Sequence, residues 1–290
     1  MGADHSSAPY TGLSLPVQLL RTAPPHLERE VGVRFSIIGR TQDVGDNFDR
    51  GWADHLADHG ARPWITLQFG EFGRGHKAPL DANLPAIVNG VRDGDLRRWA
   101  REIRDFGRPV YLTVFLHADK NWSVSSGVAH GGIPADVPKA WTHVQSVFRD
   151  EGADNVAWVW APADPVNDRE FAPPPSSIDA VLQSFINYPG TQWGDPQAVL
   201  GAVTARYPDK PLFVEASAAG PAAQKAAWLA RLAWAVDDSP GVYAVLYHEG
   251  GPDLTLSSTT TKEWSLASDA QSLASVQRLM RGLRSAGSDG

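Results

Sequence analysis

Short apolar runs alternate with longer amphipathic stretches from one end of this chain to the other, and that rhythm constrains the fold more than any single motif. A strand-length apolar run followed by a helix-length stretch is the βα unit, and its repetition implies a parallel sheet. The reading places strands at about 11–16, Arg34–Ile38, Pro63–Phe69, Pro109–Leu116, Asn155–Trp160, about Ile178–Ile186, Leu212–Glu215 and Val242–Tyr247. Helices are expected at Val17–Glu30, Asp49–His59, Leu96–Phe106, Pro138–Glu151, Pro196–Tyr207, Ala222–Val236 and Asp269–Leu283. Several strands begin just after a Gly or Pro stop, at Gly60, Gly107 with Pro109, Gly152, Pro211 and Gly241. The step between the fifth and sixth strands has no convincing helix. The predicted class is α/β and the architecture a (β/α)8 TIM barrel, in keeping with a length of 290 residues.

Residues 11–284 are expected to form the barrel, between a flexible N-terminus at 1–10 and a flexible Ser/Gly tail at 285–290. Loops that follow strands are long: one holds Gly70, Gly73 and Gly75, another runs from Asn121 to Asp136, and a third carries Pro173, Pro174 and Pro175. Loops that precede strands are mostly short. Function in a barrel sits at the C-terminal ends of the strands, so this asymmetry locates the expected site.

Composition bounds the chemistry. The chain has no cysteine, which excludes disulfides and thiolate metal sites. A net charge of −7 without a basic cluster argues against a nucleic-acid partner. No apolar run approaches the ~18 residues of a membrane span. His55 and His59 sit four apart on a predicted helix, with no third ligand in view, so no metal site is expected. The run Gly70-x-x-Gly73-x-Gly75 lacks the Lys-Ser/Thr of a phosphate-binding loop, and no cofactor is expected. There is no Gly-x-Ser-x-Gly elbow. Eleven Trp is a high count, split between core packing and platforms for sugar rings.

Glu215 stands at the end of the apolar run Pro211-Leu-Phe-Val-Glu215. It is either a salt-bridged rim residue or the nucleophile of a retaining glycosidase, which needs a second acid ~5–5.5 Å away. After the fourth strand come His117 and Asp119, on one side of the chain if the strand persists that far. An imidazole titrates near neutrality, so His117 is the first candidate proton donor and Asp119 the second. Glu71 and Glu249 are weaker substitutes. Trp122, Trp160, Glu71, Tyr188, Trp193, His248 and Trp264 are the candidate substrate-binding residues.

The chain resembles glycoside hydrolase family 26, the β-mannanases and related β-glucanases, from about residue 11 to 280. Gly60-Ala-Arg-Pro-Trp-Ile-Thr66, Asp93-Gly-Asp-Leu-Arg-Arg-Trp-Ala100 and Gly107-Arg-Pro-Val-Tyr-Leu112 carry part of the likeness. The most specific part is Trp141-Thr-His-Val144, then Phe148-Arg149 and Gly152-Ala-Asp-Asn-Val-Ala-Trp-Val-Trp-Ala-Pro162. The resemblance implies a barrel that cleaves β-linked polysaccharide with retention, and it lays the nucleophile on Glu215. It lays the family's acid/base motif, His-Glu-Met-Asn-Gly-x-Trp, on residues 116–122. There Trp122 matches, His117 takes the place of the catalytic Glu, and Leu116 that of the preceding His. Thr113 stands where the family has Arg, Ala163 where it has Asn, and Ser184 and Ile186 where it has Asp and Tyr. The departures gather at the expected active centre.

Two readings follow. One is a glycoside hydrolase-like enzyme acting on a β-linked polysaccharide or glycoconjugate, with Glu215 kept and the acid/base replaced by His. The other is a catalytically lapsed carbohydrate-binding protein. A third, a barrel enzyme of unrelated chemistry, stays open. A polysaccharide or oligosaccharide partner, a monomeric state and a secreted, extracellular location complete the expectations.

Overall fold

The computed structural model describes residues 9–15, 23–69, 83–123, 132–250, 263–281 and 283. Its strands follow one another in chain order around a closed parallel barrel. They are β1 (Tyr10–Ser14), β2 (Ile37–Asp43), β3 (Arg62–Gln68), β4 (Val110–Val114), β5 (Val156–Trp160), β6 (Ala180–Asn187), β7 (Leu212–Ala218) and β8 (Val242–His248). The helices among the described residues are α1 (Ala23–Val31), α2 (Arg50–Asp58), α3 (Leu84–Val88), α4 (Asp93–Phe106), α5 (Asp136–Asp150), α6 (Pro196–Arg206), α7 (Ala222–Asp237) and α8 (Ala270–Arg281). The (β/α)8 TIM barrel read from the sequence is the fold of the chain.

Several boundaries differ from expectation. The second strand was expected at Arg34–Ile38 and lies at Ile37–Asp43. Its polar half reads as a loop, yet Gln42 is buried with its Nε2 donating to the Asn47 carbonyl at 3.2 Å. The seventh strand runs past Glu215 to Ala218, so that residue lies inside the strand rather than at its end. The fourth strand stops at Val114: Phe115 and His117 both have φ of 56°, a left-handed backbone that no strand tolerates. The strand alternation invoked for His117 and Asp119 therefore does not apply. A short helix, α3, was not foreseen; Asn83 caps it by accepting from Ala86 N at 2.8 Å. Between β5 and β6 the only helical turn is the 3₁₀ segment Pro175–Ser177.

Two compact units divide the chain. The first holds Thr41–Asp58 and Arg62–Leu182; the second holds Met1–Arg40, His59–Ala61 and Gln183–Gly290.

In the first unit, β4 pairs with β3 and β5, with Leu112 opposite Ile65 and Trp158. Every β4 side chain is buried. Helix α4 turns Leu96, Trp99, Ala100, Ile103 and Phe106 inward, the stripe that a 3.6-residue period produces. It ends where Gly107 takes a φ of 71°. On α5, Trp141 meets Trp158 and Trp160 edge-on at 5.9 and 5.7 Å between centroids.

In the second unit, β1 lies between β2 and β8. Gly12 is required there, since a Cβ would meet Leu246 Cγ at 2.6 Å. Helix α7 buries Trp228, Leu229, Leu232, Ala235 and Val236, and α8 buries Val276, Leu279 and Met280.

Candidate active site

The second unit gathers polar side chains on four consecutive strands. Glu215 lies in β7, within an otherwise buried strand, and its own side chain is 11% exposed. Ser184, on β6, donates from Oγ to Glu215 Oε2 at 3.0 Å. The His248 ring, at the end of β8, brings Nδ1 to 3.3 Å from Glu215 Oε1. The same Nδ1 lies 3.2 Å from Ser14 Oγ on β1. Register explains the convergence: Ser14 pairs with His248, and Glu215 pairs with Leu246, two residues before His248 on the same face. Each oxygen of the Glu215 carboxyl group thus has a hydrogen-bonding side chain beside it, as a polar group in a semi-buried place requires.

Beside this cluster lies a buried network that fixes the segment preceding α8. Lys225 of α7 is 1% exposed; its Nζ donates to the carbonyls of Glu263 and Ser265 at 3.1 and 2.6 Å and to Ser268 Oγ at 3.0 Å. Burial drives its ammonium down from 10.5 to about 8, against the attraction of Glu249 and Asp269. Glu249 Oε2 accepts from Leu266 N at 2.9 Å. Burial pushes its carboxyl above the ordinary range, opposed by bonds from Ser265 and Leu266 and by the nearby Lys225 and His248. Tyr247 donates from its hydroxyl to the Trp264 carbonyl at 2.8 Å, and burial, with Glu249 beside it, holds that phenol well above 10. Glu249 is committed to this scaffold, which corrects its reading as a substitute acid.

Three aromatic candidates sit on the same unit. Tyr188 is 47% exposed, and its ring meets Trp264 edge-on at 5.2 Å. Trp264 is 2% exposed, so its reading as a sugar platform is corrected: it is the support beneath Tyr188. Trp193 is 9% exposed and donates from Nε1 to the Tyr188 carbonyl at 2.9 Å, again a support.

In the first unit the chain leaving β4 makes a strained turn over residues 115–119. His117 N donates to the Ala161 carbonyl at 2.9 Å, tying the turn to the end of β5. The half-buried His117 ring lies 5.2 Å from that of Trp122, edge-on at 70°, and Trp122 is 52% exposed. Asp119 is used differently. Its Oδ1 accepts from Ala163 N at 2.7 Å and its Oδ2 from Asp164 N at 3.0 Å, with Lys120 Nζ at 3.2 Å. With its side chain 4% exposed, it clamps the loop after β5, which corrects its reading as a proton donor. Trp160 is corrected too. It is fully buried, with Nε1 donating to the fully buried Asp168 at 2.6 Å, and neither ring face is open to a sugar. Thr113, where the resembled family has Arg, accepts from Trp64 Nε1 at 2.9 Å.

The structure thus brings Glu215 and His248 together, and separately His117 and Trp122. Glu71 lies outside the described residues. Sequence reasoning missed Ser14, and it saw Ser184 only as a departure from a motif. Both were recoverable only through register, as small polar residues sharing a face with Glu215. Among the described residues no group of three or more His, Asp or Glu side chains could hold a metal ion, and no helix is long and apolar enough to cross a membrane.

No family model and no curated protein matches the chain. Solved structures do. A glycoside hydrolase family 26 β-mannanase from Bacteroides ovatus superposes with a TM-score of 0.71 at 12% identity, covering 98% of this chain and 92% of that one. A β-mannanase from a symbiotic protist of the termite Reticulitermes speratus, complexed with gluco-manno-oligosaccharide, gives 0.65 at 15% identity, covering 94% and 87%. The family 26 domain of an endo-β-mannanase/endo-β-glucanase from Prevotella bryantii gives 0.59 at 13% identity, covering 93% and 92%. At these identities the likeness is one of fold: the chain is built like the family 26 β-mannanases.

Proposed function

We propose that the protein is a glycoside hydrolase-like enzyme acting on a β-linked polysaccharide or glycoconjugate, with Glu215 as nucleophile. The observation that carries this reading is the Glu215 carboxylate itself. It stands inside β7, nearly covered, with Ser184 Oγ on one oxygen and His248 Nδ1 beside the other. A carboxylate set among buried strand residues and supplied with hydrogen bonds is oriented for attack on an anomeric carbon and stabilises the oxocarbenium-like transition state. The likeness to family 26 β-mannanases supports a β-mannan or glucomannan as the first substrates to try. An imidazole takes the place of the usual acid/base carboxylate, and sequence register gives His117 that role. Trp122 and Tyr188, both exposed, are the proposed sugar platforms. A monomer acting outside the cell fits a polymeric substrate.

The test is hydrolysis of a panel of β-mannans, glucomannans and β-glucans by the wild type and by Glu215→Gln. The reading expects product from at least one polymer and a fall of at least 10³-fold in the variant, since the covalent step is lost. A panel without product, together with calorimetric binding of the same glycans, would turn the reading to the lapsed, carbohydrate-binding alternative. That alternative draws on Leu116 and His117 standing where the resembled family has its His-Glu pair.

A further inference from the structure

We infer that Trp234, on α7, is a second sugar platform: a surface site that holds a flat, β-linked pyranose chain apart from Glu215. The inference rests on the reading of the protein as one that acts on β-linked polysaccharide, and adds to it a place where the polymer is held without being cut.

The two tryptophans of α7 meet opposite fates. Trp228 is fully buried, with its ring 5.7 Å from that of Phe185 on β6 and its Nε1 donating to the Gly194 carbonyl at 3.1 Å. Trp234, six residues later, is turned about 240° around the helix from it and is 75% exposed. Leu229, Leu232, Ala235 and Val236 share the buried face with Trp228, so the fold makes no use of the Trp234 ring. A single exposed apolar residue is ordinary by itself. What surrounds this one decides its use.

On a helix, the neighbours of a residue stand three and four positions away. For Trp234 they are Ala230 and Arg231 on one side, Asp237 and Asp238 on the other. Among the described residues no aromatic ring or cation stacks on the indole, and Arg231 and Asp237, both exposed, have no ion pair. Asp238 accepts from Gln197 Nε2 of α6. A pyranose has C–H bonds on its face and hydroxyls around its edge. The C–H bonds suit the electron-rich face of an indole. The hydroxyls suit a guanidinium that donates and carboxylates that accept. In a chain with β-links the rings lie as an extended ribbon, whose flat side fits a flat aromatic.

A protein is the competing occupant. A stable protein interface takes about 800 Å² from each side and keeps charge away from its centre. An indole supplies at most ~150–250 Å², and Ala223, Ala227 and Ala230 lengthen it along α7 only by methyl groups. Three charged side chains stand within about one turn of the ring. Area and charge both favour sugar. The site is also separate from Glu215. After α7 the chain passes the start of β7, where Leu212 N donates to the Gly241 carbonyl at 2.8 Å. Trp234 therefore lies toward the end where β7 begins, on the face of α7 opposite its buried one.

The experiment measures adsorption to insoluble β-mannan, and hydrolysis of a soluble nitrophenyl β-mannobioside, for wild type and for Trp234→Ala, Trp234→Leu and Trp234→Tyr. All three residues suit an exposed helix position, so the variants should fold. Trp234→Ala should adsorb about tenfold more weakly. Trp234→Tyr should keep most of the adsorption, and Trp234→Leu, apolar without a ring face, should lose it as alanine does. The rate on the soluble substrate should be the same in all four proteins. Unchanged adsorption of Trp234→Ala overturns the inference, as does full adsorption of Trp234→Leu, which would mean unspecific apolar adhesion. So does a wild-type dimer in sedimentation that Trp234→Ala dissolves, since a second copy would then cover the ring. Wild type that cuts the soluble substrate but does not adsorb overturns this inference alone. Wild type that adsorbs through Trp234 but cuts nothing sinks the nucleophile reading and supports this site. Wild type that does neither sinks both.

Discussion

Lys225 is the residue whose environment most contradicts its chemistry. An ammonium 1% exposed has lost its water, and two carbonyls and a hydroxyl replace it. Its folded pKa of about 8 lies below the ordinary 10.5 of the unfolded chain. Between those values the unfolded state binds more protons than the folded one, so stability rises with pH across that window. The penalty of burying the charge is fully present below pH 8 and disappears by about pH 10.5. Wild type should therefore gain on Lys225→Met by on the order of 3 kcal/mol as pH rises from 7 to 10.5. Urea unfolding of both proteins at the two pH values measures this directly. A stability difference that stays flat with pH would mean that the lysine remains charged and well solvated. The same three hydrogen bonds hold the segment carrying Trp264, so Lys225 also fixes the support on which Tyr188 rests.

The turn after β4 does an element's work with five residues. Phe115 and His117 hold left-handed backbones that cost of order 1–3 kcal/mol each, so their surroundings must fix them. Stacking of Phe115 on Phe69 at 5.1 Å is one restraint, and the Asp119 clamp on Ala163 and Asp164 is another. Asp119→Ala removes an acceptor from two backbone N–H groups and should destabilise the protein by about 2–4 kcal/mol, read from the urea midpoint. Activity per folded molecule should fall through a loosened His117. In Asp119→Asn the amide oxygen still serves one N–H, and the loss should be about half as large. A variant of unchanged stability that lost all activity would restore Asp119 as a proton donor. This turn also marks where the sequence stops being legible. Apolar runs such as those of β3, β4 and β8 announce their strands, because burial on both faces leaves mostly apolar residues, with Thr66, Gln68 and Thr113 as buried exceptions. The polar half of β2 does not, because Gln42 is buried with its Nε2 donating to the Asn47 carbonyl, a placement that no hydrophobic pattern records. The candidate site was half visible: Glu215 stood out as an acid in an apolar strand. Its partners Ser184 and His248, and Ser14 beside His248, come from segments up to 234 residues apart and meet only through strand register.

For the molecule as a whole, burial separates the aromatic residues by task. Trp99, Trp141, Trp160, Trp228 and Trp264 are among the largest fully buried side chains, whereas Trp122 and Tyr188 keep about half their surface open. A domain's net stability is only ~5–15 kcal/mol, and deleting a buried Trp side chain costs ~3–5 kcal/mol. Trp160→Ala, which also leaves the buried Asp168 carboxylate without its indole donor, should take a large share of the total. Trp122→Ala and Tyr188→Ala should move stability by no more than about 0.5 kcal/mol, since neither vacates the core. Their effect should appear instead in glycan affinity, measured by calorimetry on protein shown to be folded. Buried variants should do the reverse, losing folded protein while what remains folded keeps its affinity. If Trp122→Ala and Tyr188→Ala both bind glycan as wild type does, the exposed rings are not sugar platforms, and recognition must come from polar contacts around Glu215.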